Sequence, residues 1–169
     1  KYNHHFGDNG ASVTNRFLRD REFSDPAFIF VNYMEAHNPF EPPTGYGPED
    51  ATAPAVEGWK YDNGMASLTN EQIASLRANY RGEVAYLDEQ IGEIYEEFND
   101  NTVIVITGDH GVSLAEHGHL YHGTGIYNPV TKVPLIITGT GRTGRLDHSV
   151  GIISLYRTIC RLAGIDPTM

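Results

Sequence analysis

The sequence predicts an α/β fold in which helices cover a mainly parallel sheet. Three segments, residues 27–34, 102–107 and 133–138, are nearly continuous in apolar or β-branched residues. Such runs are typical of parallel strands that are buried on both faces by helices. Helical patterns precede the first segment, separate it from the second and follow the third. This alternation of helices and strands is the pattern of α/β domains.

Length and composition indicate a single α/β domain over residues 1–169. The chain has 169 residues and is 40% hydrophobic, which is enough for one modest domain with a core. It begins at Lys1 without an initiator Met or a signal peptide, so we expect a processed or trimmed piece. No apolar run approaches the roughly 18 residues of a membrane-spanning helix, so we expect no membrane partner.

The net charge of the chain argues against some classes of binding partner. The formal charge is -10, from 22 acidic and 12 basic residues. An acidic surface disfavours nucleic acid, because neutralising phosphates requires clustered Lys and Arg. Acid-rich, lysine-poor surfaces suit high salt, which makes a halophilic source one hypothesis. The single cysteine, Cys160, cannot form an internal disulfide and lies in an apolar helical pattern, so we predict a buried structural thiol.

The first half of the chain contains one helix, one strand and one irregular segment. Residues 11–23 have the pattern of an amphipathic helix with Val13, Phe17 and Leu18 on one side. The polar residues 1–10 before it are expected to form a loop. Residues 27–34 form the first predicted strand, and residues 40–66, rich in proline and glycine, are expected to be irregular.

A long helix opens the second half. Thr69-x-x-Gln72 matches a capping box at its start. Apolar residues then recur at steps of three and four and predict its buried face: Ile73, Leu76, Tyr80, Val84, Leu87, Ile91, Ile94 and Phe98. The strands at 102–107 and 133–138 follow, and a last helical pattern ends at Gly164, a typical helix stop.

Polar loops follow the first two predicted strands. MEAHNPF (34–40) comes after one and GDHG (108–111) after the other. Ligands of open α/β sheets bind beyond the carboxyl ends of the strands, so we expect the two loops to share a site. The carboxylate of Asp109 and the imidazole of His110 suit a divalent cation such as Mn, Zn or Mg. An Asp-His pair that only caps the strand end remains the alternative.

Further histidines follow in the same loop, at positions 117, 119 and 122. A histidine in a polar loop is often simply solvated, and His119-x-x-His122 lacks the Glu of the HExxH zinc signature. A separate pattern, Gly139-x-Gly141-x-x-Gly144, matches a dinucleotide-binding fingerprint after a strand. No helical pattern opens inside these glycines, so a glycine-rich turn is the favoured interpretation.

Four segments together resemble the sulfatases, which belong to the alkaline-phosphatase-like superfamily. IVITGDHGVSLAEHG followed by HGTGIYNPVTKVPLII is similar to the family's Asp-His-Gly strand end, its Glu-His-Gly turn and its Val-Pro-Leu-Ile-Ile strand. FVNYMEAHNPFEPP, the helix with ANYRGEVAYLDEQIG and the closing LAGI are also similar, in the family's order. The resemblance covers roughly residues 10–165 and implies an alkaline-phosphatase-like sandwich, of which this chain is part.

The resemblance also implies roles for matching residues. Asp109 and His110 resemble the pair that holds the catalytic divalent cation, which would be Ca, Mn or Mg. His37 resembles the histidine that reaches the sulfate ester. His122 stands where many members have a lysine on the sulfate, so its charge would depend on pH. His117 matches the Glu-His-Gly turn and is expected to be structural or to support the site.

Two departures from the family pattern limit what can be carried over. Val112 stands where Glu is usual after Asp-His-Gly. The sequence also contains no Cys- or Ser-x-Pro-x-Arg motif, whose first residue becomes the formylglycine nucleophile, and Cys160 does not qualify because Arg161 and Leu162 follow it. The chain therefore resembles the C-terminal portion of a sulfatase catalytic domain.

The resemblance implies a metal-dependent hydrolase that acts on a small-molecule or glycan sulfate ester. This chain would supply half of a split site and be silent alone, with the missing N-terminal part of the same protein as its partner. A phosphodiesterase, phosphonate hydrolase or phosphoethanolamine transferase of the superfamily is an alternative. A non-catalytic acidic assembly domain is another, and the sequence does not indicate a cellular location.

Overall fold

The computed structural model describes residues 10–23, 26–49, 54–98 and 101–167. The described residues form two compact units, where the sequence predicts a single domain over residues 1–169. The first unit comprises the described residues up to Glu97 together with Gly108–Val133. The second comprises the described residues from Phe98 to Thr107 and from Pro134 onward. Of the loop predicted for residues 1–10, all but Gly10 lies outside the described residues.

Five helices and four strands are present in the described residues. They are α1 (Ala11–Arg19), α2 (Gly58–Asp62), α3 (Asn70–Phe98), β1 (Ile104–Thr107), β2 (Ser113–Leu114), β3 (Leu120–Tyr121), α4 (Asn128–Thr131), β4 (Leu135–Thr138) and α5 (Leu155–Leu162). Of these elements, β1, β4 and α5 lie in the second unit. The candidate site residues His37, Asp109, His110 and His122 all lie in the first unit. None of the described helices is long and apolar enough to cross a membrane.

Helix α1 is shorter than predicted and buries a different face. Val13 is 62% exposed and Phe17 is 52% exposed, whereas Asn15 is fully buried. The Asn15 side chain donates to the backbone carbonyl of Gln90 (2.8 Å) and accepts from the Tyr33 hydroxyl (2.6 Å). Of the predicted apolar side Leu18 is buried, at 6% exposed, and the prediction is wrong for Val13 and Phe17, because the hydrogen bonds of Asn15 hold a different side of the helix against Gln90 and Tyr33.

Residues 27–34, predicted as the first strand, are extended without strand pairing. The structure gives them no ladder with any other described segment. Phe28 is 76% exposed and Phe30 is 80% exposed. The prediction of a buried strand is wrong for the described residues, because a strand is defined by backbone pairing that the local pattern cannot supply.

Helix α3 begins as predicted. The Thr69 N–H donates to Gln72 Oε1 (2.9 Å), and the Gln72 N–H donates to Thr69 Oγ1 (3.2 Å). This reciprocal pair is a capping box, which satisfies two N–H groups at the start of a helix. The helix then runs without interruption to Phe98.

The most deeply buried residues of α3 differ in part from the predicted ones. They are Leu76, Asn79, Gly82, Glu83, Tyr86 and Gln90. Of the eight residues of the predicted apolar face, Leu76 is buried, six are half-buried and Val84 is 42% exposed. A Cβ at Gly82 would lie 2.6 Å from the Tyr46 carbonyl oxygen, so glycine there lets the segment after Phe40 pack tightly on this side of α3.

The core of the first unit lies where this segment meets α3. Phe40, Leu76 and Leu120 are at most 1% exposed and form one apolar cluster. The Phe40 ring packs edge-on to Tyr80, with ring centroids 5.2 Å apart. The described parts of residues 40–66, which are 40–49 and 54–66, are irregular as predicted except for the short helix α2.

The described strands pair antiparallel, unlike the mainly parallel sheet predicted. In the second unit β1 pairs with β4, with Val105 opposite Ile137, and in the first unit β2 pairs with β3. Parallel pairing requires a crossover, usually a helix, that carries the chain back along the sheet. The connection from β1 to β4 contains the short strands β2 and β3 and one α-helix, α4, of only four residues, and the chain returns in the opposite direction.

Two glycine-based predictions in the second unit are confirmed. Gly164 has a φ of 71°, and the Ile165 N–H donates to the Cys160 carbonyl (2.8 Å), as in a Schellman helix stop. The glycines at 139, 141 and 144 all have positive φ and open no helix, so this segment is a turn. Cys160 is half-buried, less enclosed than predicted.

Candidate active site

A tight turn of residues 35–41, the His37 turn, carries the first predicted site residue. The His37 N–H donates to the Met34 carbonyl (3.2 Å), and Ala36 has a φ of 65°. The Asn38–Pro39 peptide bond is cis. Phe40, fully buried at the end of the turn, fixes it to the core.

Polar side chains of α3 also bind this turn. The Asn79 amide donates to the Phe40 carbonyl (3.1 Å), and Glu83 Oε1 accepts the Glu41 N–H (2.9 Å). Burial raises the pKa of Glu83 to about 7, although the Glu41 N–H opposes the rise, and the nearby Glu35 carboxylate adds to it. The His37 turn therefore lies on buried polar groups as well as on the apolar core.

The second predicted pair lies in residues 108–125, the histidine loop. The Asp109 side chain is 81% exposed, and its Oδ1 lies 3.8 Å from His110 Nε2. Asp109 Oδ1 also accepts the His110 N–H (2.9 Å). The Gly111 N–H donates to the Val130 carbonyl (2.7 Å), and a Cβ at Gly111 would collide with the Pro129 carbonyl. Glycine is therefore required for this close backbone approach.

The hydrogen bonds of His37 and His110 determine which ring nitrogen of each residue can accept a proton or bind a cation. Nδ1 of His37 lies 2.7 Å from the Asn38 carbonyl oxygen, and Nδ1 of His110 lies 2.8 Å from the Gly111 carbonyl oxygen. A carbonyl only accepts, so each Nδ1 must carry the proton and donate it. In the neutral rings Nε2 then has the lone pair, which can accept a proton or bind a cation.

His122 lies between these two histidines. Its ring centroid is 4.3 Å from that of His110 and 5.4 Å from that of His37. Burial lowers the pKa of His122 below its ordinary value of 6.5, positive charge on His110 and His37 lowers it further, and Asp109 opposes the shift. At neutral pH His122 is therefore uncharged, unlike the lysine that the resemblance places there.

The structure brings the four predicted site residues into one cluster. His37, His122 and His110 form a row of neighbouring rings, and Asp109 lies beside His110. Among the residues that the structure describes, no group of three or more His, Cys, Asp and Glu side chains is placed to hold a metal ion. Asp109 and His110 alone therefore do not make up a full set of cation ligands.

His117 and His119 point elsewhere in the same loop. The His117 ring stacks on Tyr127 at a centroid distance of 4.3 Å. His119 Nδ1 lies 3.5 Å from a carboxylate oxygen of Asp62. These two histidines pack on an aromatic ring and an acid instead of joining the row, in agreement with a structural role for His117.

Asp62 connects α2 to the histidine loop. Its side chain is 3% exposed and accepts the Leu120 N–H (2.8 Å) as well as the Thr124 hydroxyl. Although burial alone would raise it, the hydrogen bonds from Thr124, Leu120 and His119 hold the pKa of Asp62 below its ordinary value. Asp62 therefore supports the strand that leads directly to His122.

Two supporting acids, Asp62 and Glu83, have no equivalent in the sequence predictions. Glu83 could have been suspected, because it follows a glycine inside a helix and lies on the same side as Leu76, Asn79 and Tyr86. Asp62 sits in a polar, proline-rich region and gives no local signal.

The family of the chain follows from comparison with known proteins. The sequence profile of the sulfatase family matches residues 6–165. This range covers most of the chain, and the chain belongs to the sulfatase family.

Several sulfatases align with nearly the whole chain. An uncharacterized sulfatase of Escherichia coli K12, YidJ, is 27% identical over 177 residues, which cover 91% of this chain and 36% of that protein. The arylsulfatase of Clostridium perfringens is 27% identical over 174 residues, covering 90% and 35%. Iduronate 2-sulfatase of Mus musculus is 26% identical over 167 residues, covering 79% and 30%. The chain spans about a third of the length of these relatives.

Two crystal structures resemble the fold. A phosphonate monoester hydrolase of Agrobacterium radiobacter has a TM-score of 0.56 at 26% identity, over 75% of this chain and 31% of that one. A protein of Bacteroides thetaiotaomicron that is provisionally named a sulfatase has a TM-score of 0.61 over 98% of this chain and 45% of that one. The identity in the second case is 19%, so that likeness concerns the fold alone. The α/β fold of the alkaline-phosphatase-like type is thereby confirmed.

Proposed function

We propose that this chain contributes part of the active site of a metal-dependent hydrolase of sulfate esters. The observation that carries the proposal is the row of three imidazoles, His37, His122 and His110, with the exposed carboxylate of Asp109 at one end. A set of proton-carrying rings beside a hard carboxylate suits an anionic ester next to a divalent cation.

Asp109 and His110 would hold the cation. The carboxylate is exposed, and Nε2 of His110 has its lone pair because Nδ1 donates to the Gly111 carbonyl. Both groups therefore fit a Ca, Mn or Mg ion with oxygen and nitrogen ligands. When bound, such an ion would neutralise charge on the ester oxygens and favour a deprotonated nucleophile.

His37 and His122 would face the ester. The Nδ1 bond of His37 to the Asn38 carbonyl leaves Nε2 to exchange a proton with the leaving oxygen. His122, uncharged at neutral pH, would donate a hydrogen bond to a sulfate oxygen, and the negative charge of the ester would favour its protonated form. The substrate would be a small-molecule or glycan sulfate ester.

The nucleophile would come from outside this sequence. No Cys- or Ser-x-Pro-x-Arg motif occurs in the 169 residues, and two cation ligands alone bind an ion weakly. We therefore expect the chain by itself to turn over no ester. An N-terminal part of the same protein is the partner that would complete the site.

Cation binding can be tested on the chain itself. Titration with MnCl₂, followed by paramagnetic broadening of the histidine ring signals in NMR spectra, should broaden His110 first and the other two rings of the row after it. Asp109→Asn is the matched control, because it keeps the shape and removes the charge. Equal broadening in both proteins, or none at millimolar Mn²⁺, would contradict the assignment.

Catalysis requires the protein that also contains the nucleophile segment. With p-nitrophenyl sulfate and saturating metal, we expect turnover in that protein, and a loss of about 100-fold or more in kcat/KM on His37→Ala. The isolated 169-residue chain should give the same rate as its His110→Ala variant. Turnover by the isolated chain above that control would refute the split-site proposal.

A phosphonate or phosphate diester hydrolase is the second candidate. It is favoured by the likeness to the Agrobacterium radiobacter phosphonate monoester hydrolase, which at 26% identity exceeds a likeness of fold alone. Parallel assays with p-nitrophenyl sulfate and p-nitrophenyl phenylphosphonate would separate the two. A kcat/KM that is higher for the phosphonate would replace the sulfatase proposal with this one.

A further inference from the structure

We propose that Glu83 is a positioning residue for His37, because its buried carboxyl group accepts the Glu41 N–H that closes the His37 turn. This inference rests on the proposed function only in taking His37 as the residue that meets the ester. The contact between α3 and the turn stands independently of which ester is hydrolysed.

Two polar side chains of α3 bind the end of the turn. Glu83 Oε1 accepts the Glu41 N–H at 2.9 Å, and the Asn79 amide donates to the Phe40 carbonyl at 3.1 Å. Because both contacts come from one long helix, the backbone that follows His37 is fixed relative to α3.

The turn has a conformation that needs such support. Ala36 lies in the left-handed region, with a φ of 65°, which a residue with a Cβ rarely adopts without compensation. The Glu41 N–H at the end of the turn is part-buried and donates to Glu83 Oε1. A buried N–H without an acceptor is costly, and a carboxyl oxygen is a strong acceptor.

A merely structural role would not explain an acid at this position. Glu83 is fully buried, and Glu35, another carboxyl group near it, is 4% exposed. Burying two acids together is unfavourable, and an apolar side chain of similar volume often stabilises a core as well or better. An apolar side chain cannot accept the Glu41 N–H, which closes the turn after His37.

The position of the imidazole depends on this backbone. The His37 ring donates to the next carbonyl, at Asn38, and lies 5.4 Å from the His122 ring centroid. The ring therefore has little freedom apart from the turn that carries it. Loss of the bond between the Glu41 N–H and Glu83 should let the turn relax and move Nε2 of His37 away from His122.

The test compares Glu83→Leu with Glu83→Gln. Leucine keeps the apolar volume and removes both acceptors, whereas glutamine keeps one acceptor oxygen. We expect the ring signals of His37 in NMR spectra to shift or broaden in the leucine variant and to be partly restored in the glutamine variant. Glu96→Leu, an exposed acid on the same helix, is the matched control and should leave them unchanged.

Kinetics in the protein with its nucleophile segment provide the second readout. With p-nitrophenyl sulfate, Glu83→Leu should lower kcat about tenfold or more and change KM much less, because misplacement acts on the reacting geometry. Glu83→Gln should recover part of the loss. If the leucine variant keeps both the wild-type His37 signals and the wild-type kcat, the proposal is wrong. A kcat that falls only with the folded fraction would likewise overturn it.

A measurement on the unmodified protein covers the case in which the leucine variant does not fold. The amide hydrogen of Glu41 should exchange with solvent at least 100-fold more slowly than the exposed amides of the chain. Fast exchange at Glu41 would contradict the contact. If the wild-type protein with its nucleophile segment turned over no ester, the proposed function would be contradicted. The NMR and exchange results would still decide whether Glu83 fixes the turn.

Discussion

The two segments that form the candidate site are stabilised in opposite ways. The His37 turn lies on buried groups, since Phe40 and Glu83 beneath it are both fully buried. The histidine loop carries its cation ligands outward, with the Asp109 side chain 81% exposed. The difference shows that His37 is positioned by buried neighbours, whereas Asp109, which would bind the ion, is exposed to solvent.

The largest expected effect comes from removing the apolar support of the His37 turn. Phe40→Ala should destabilise the first unit by about 3–5 kcal/mol, because it empties a site that packs on Leu76, Leu120 and Tyr80. Urea unfolding monitored by tryptophan fluorescence measures the loss. Phe30→Ala is the matched control, since Phe30 is 80% exposed, and it should cost less than about 0.5 kcal/mol. Equal costs would break the comparison.

The next effect is a dependence of stability on pH that comes from Glu83. Its pKa in the folded protein is about 7 against an ordinary value of 4.5, so the folded state holds a proton that the unfolded state has released between these values. The contribution is complete below about pH 4.5, and stability falls as the pH rises toward 7, by about 3 kcal/mol in total.

Urea midpoints between pH 5 and 8 would measure this slope. Glu83→Gln, which does not titrate, should have a flatter profile than the wild type. Glu35 and Glu41 are the acids that raise the pKa of Glu83 electrostatically, so Glu35→Gln should move the steep region to lower pH. Parallel profiles for the wild type and Glu83→Gln would show that Glu83 ionises normally.

A smaller effect separates two aspartates that serve the histidine loop. Asp62→Ala should cost about 1–3 kcal/mol, because it leaves the Leu120 N–H and the Thr124 hydroxyl without their buried acceptor. Asp109→Ala should stay within about 0.5 kcal/mol in the absence of metal, since that side chain is exposed. Thermal unfolding in EDTA compares the two, and a larger cost for Asp109 would contradict the open character of the loop.

The same contrast explains what the sequence could predict. The capping box at Thr69, the helix stop at Gly164 and the strands β1 and β4 follow from local patterns, because caps and apolar runs act within a few residues. The extended segment around Phe30 carries an equally strong apolar pattern, yet it is not paired among the described residues. Pairing depends on a neighbour in space, which no local pattern contains.

The residues of the candidate site also differ in whether the sequence could identify them. Asp109, His110, His37 and His122 could be chosen because their residue types and their position after predicted strands indicate the chemistry. Asp62 could not, because an acid in a polar loop is usually solvated. Glu83 could only be suspected, from its place next to Gly82 on the side of the helix that carries Leu76. Only the tertiary contacts with Glu41 and Leu120 turn them into buried supports.

The smallest expected effect concerns His117, the histidine that the loop directs away from the row. His117→Ala removes a ring that stacks on Tyr127 at 4.3 Å, and such pairs contribute about 0.5–1.5 kcal/mol. Because His117 is exposed, we expect the low end of that range and no change in Mn²⁺ affinity. A double-mutant cycle with Tyr127→Ala, measured by urea unfolding, isolates the ring contact. If His117→Ala instead weakened Mn²⁺ binding tenfold without loss of stability, His117 would belong with the ion ligands, and the loop would have one group of histidines where the structure shows two.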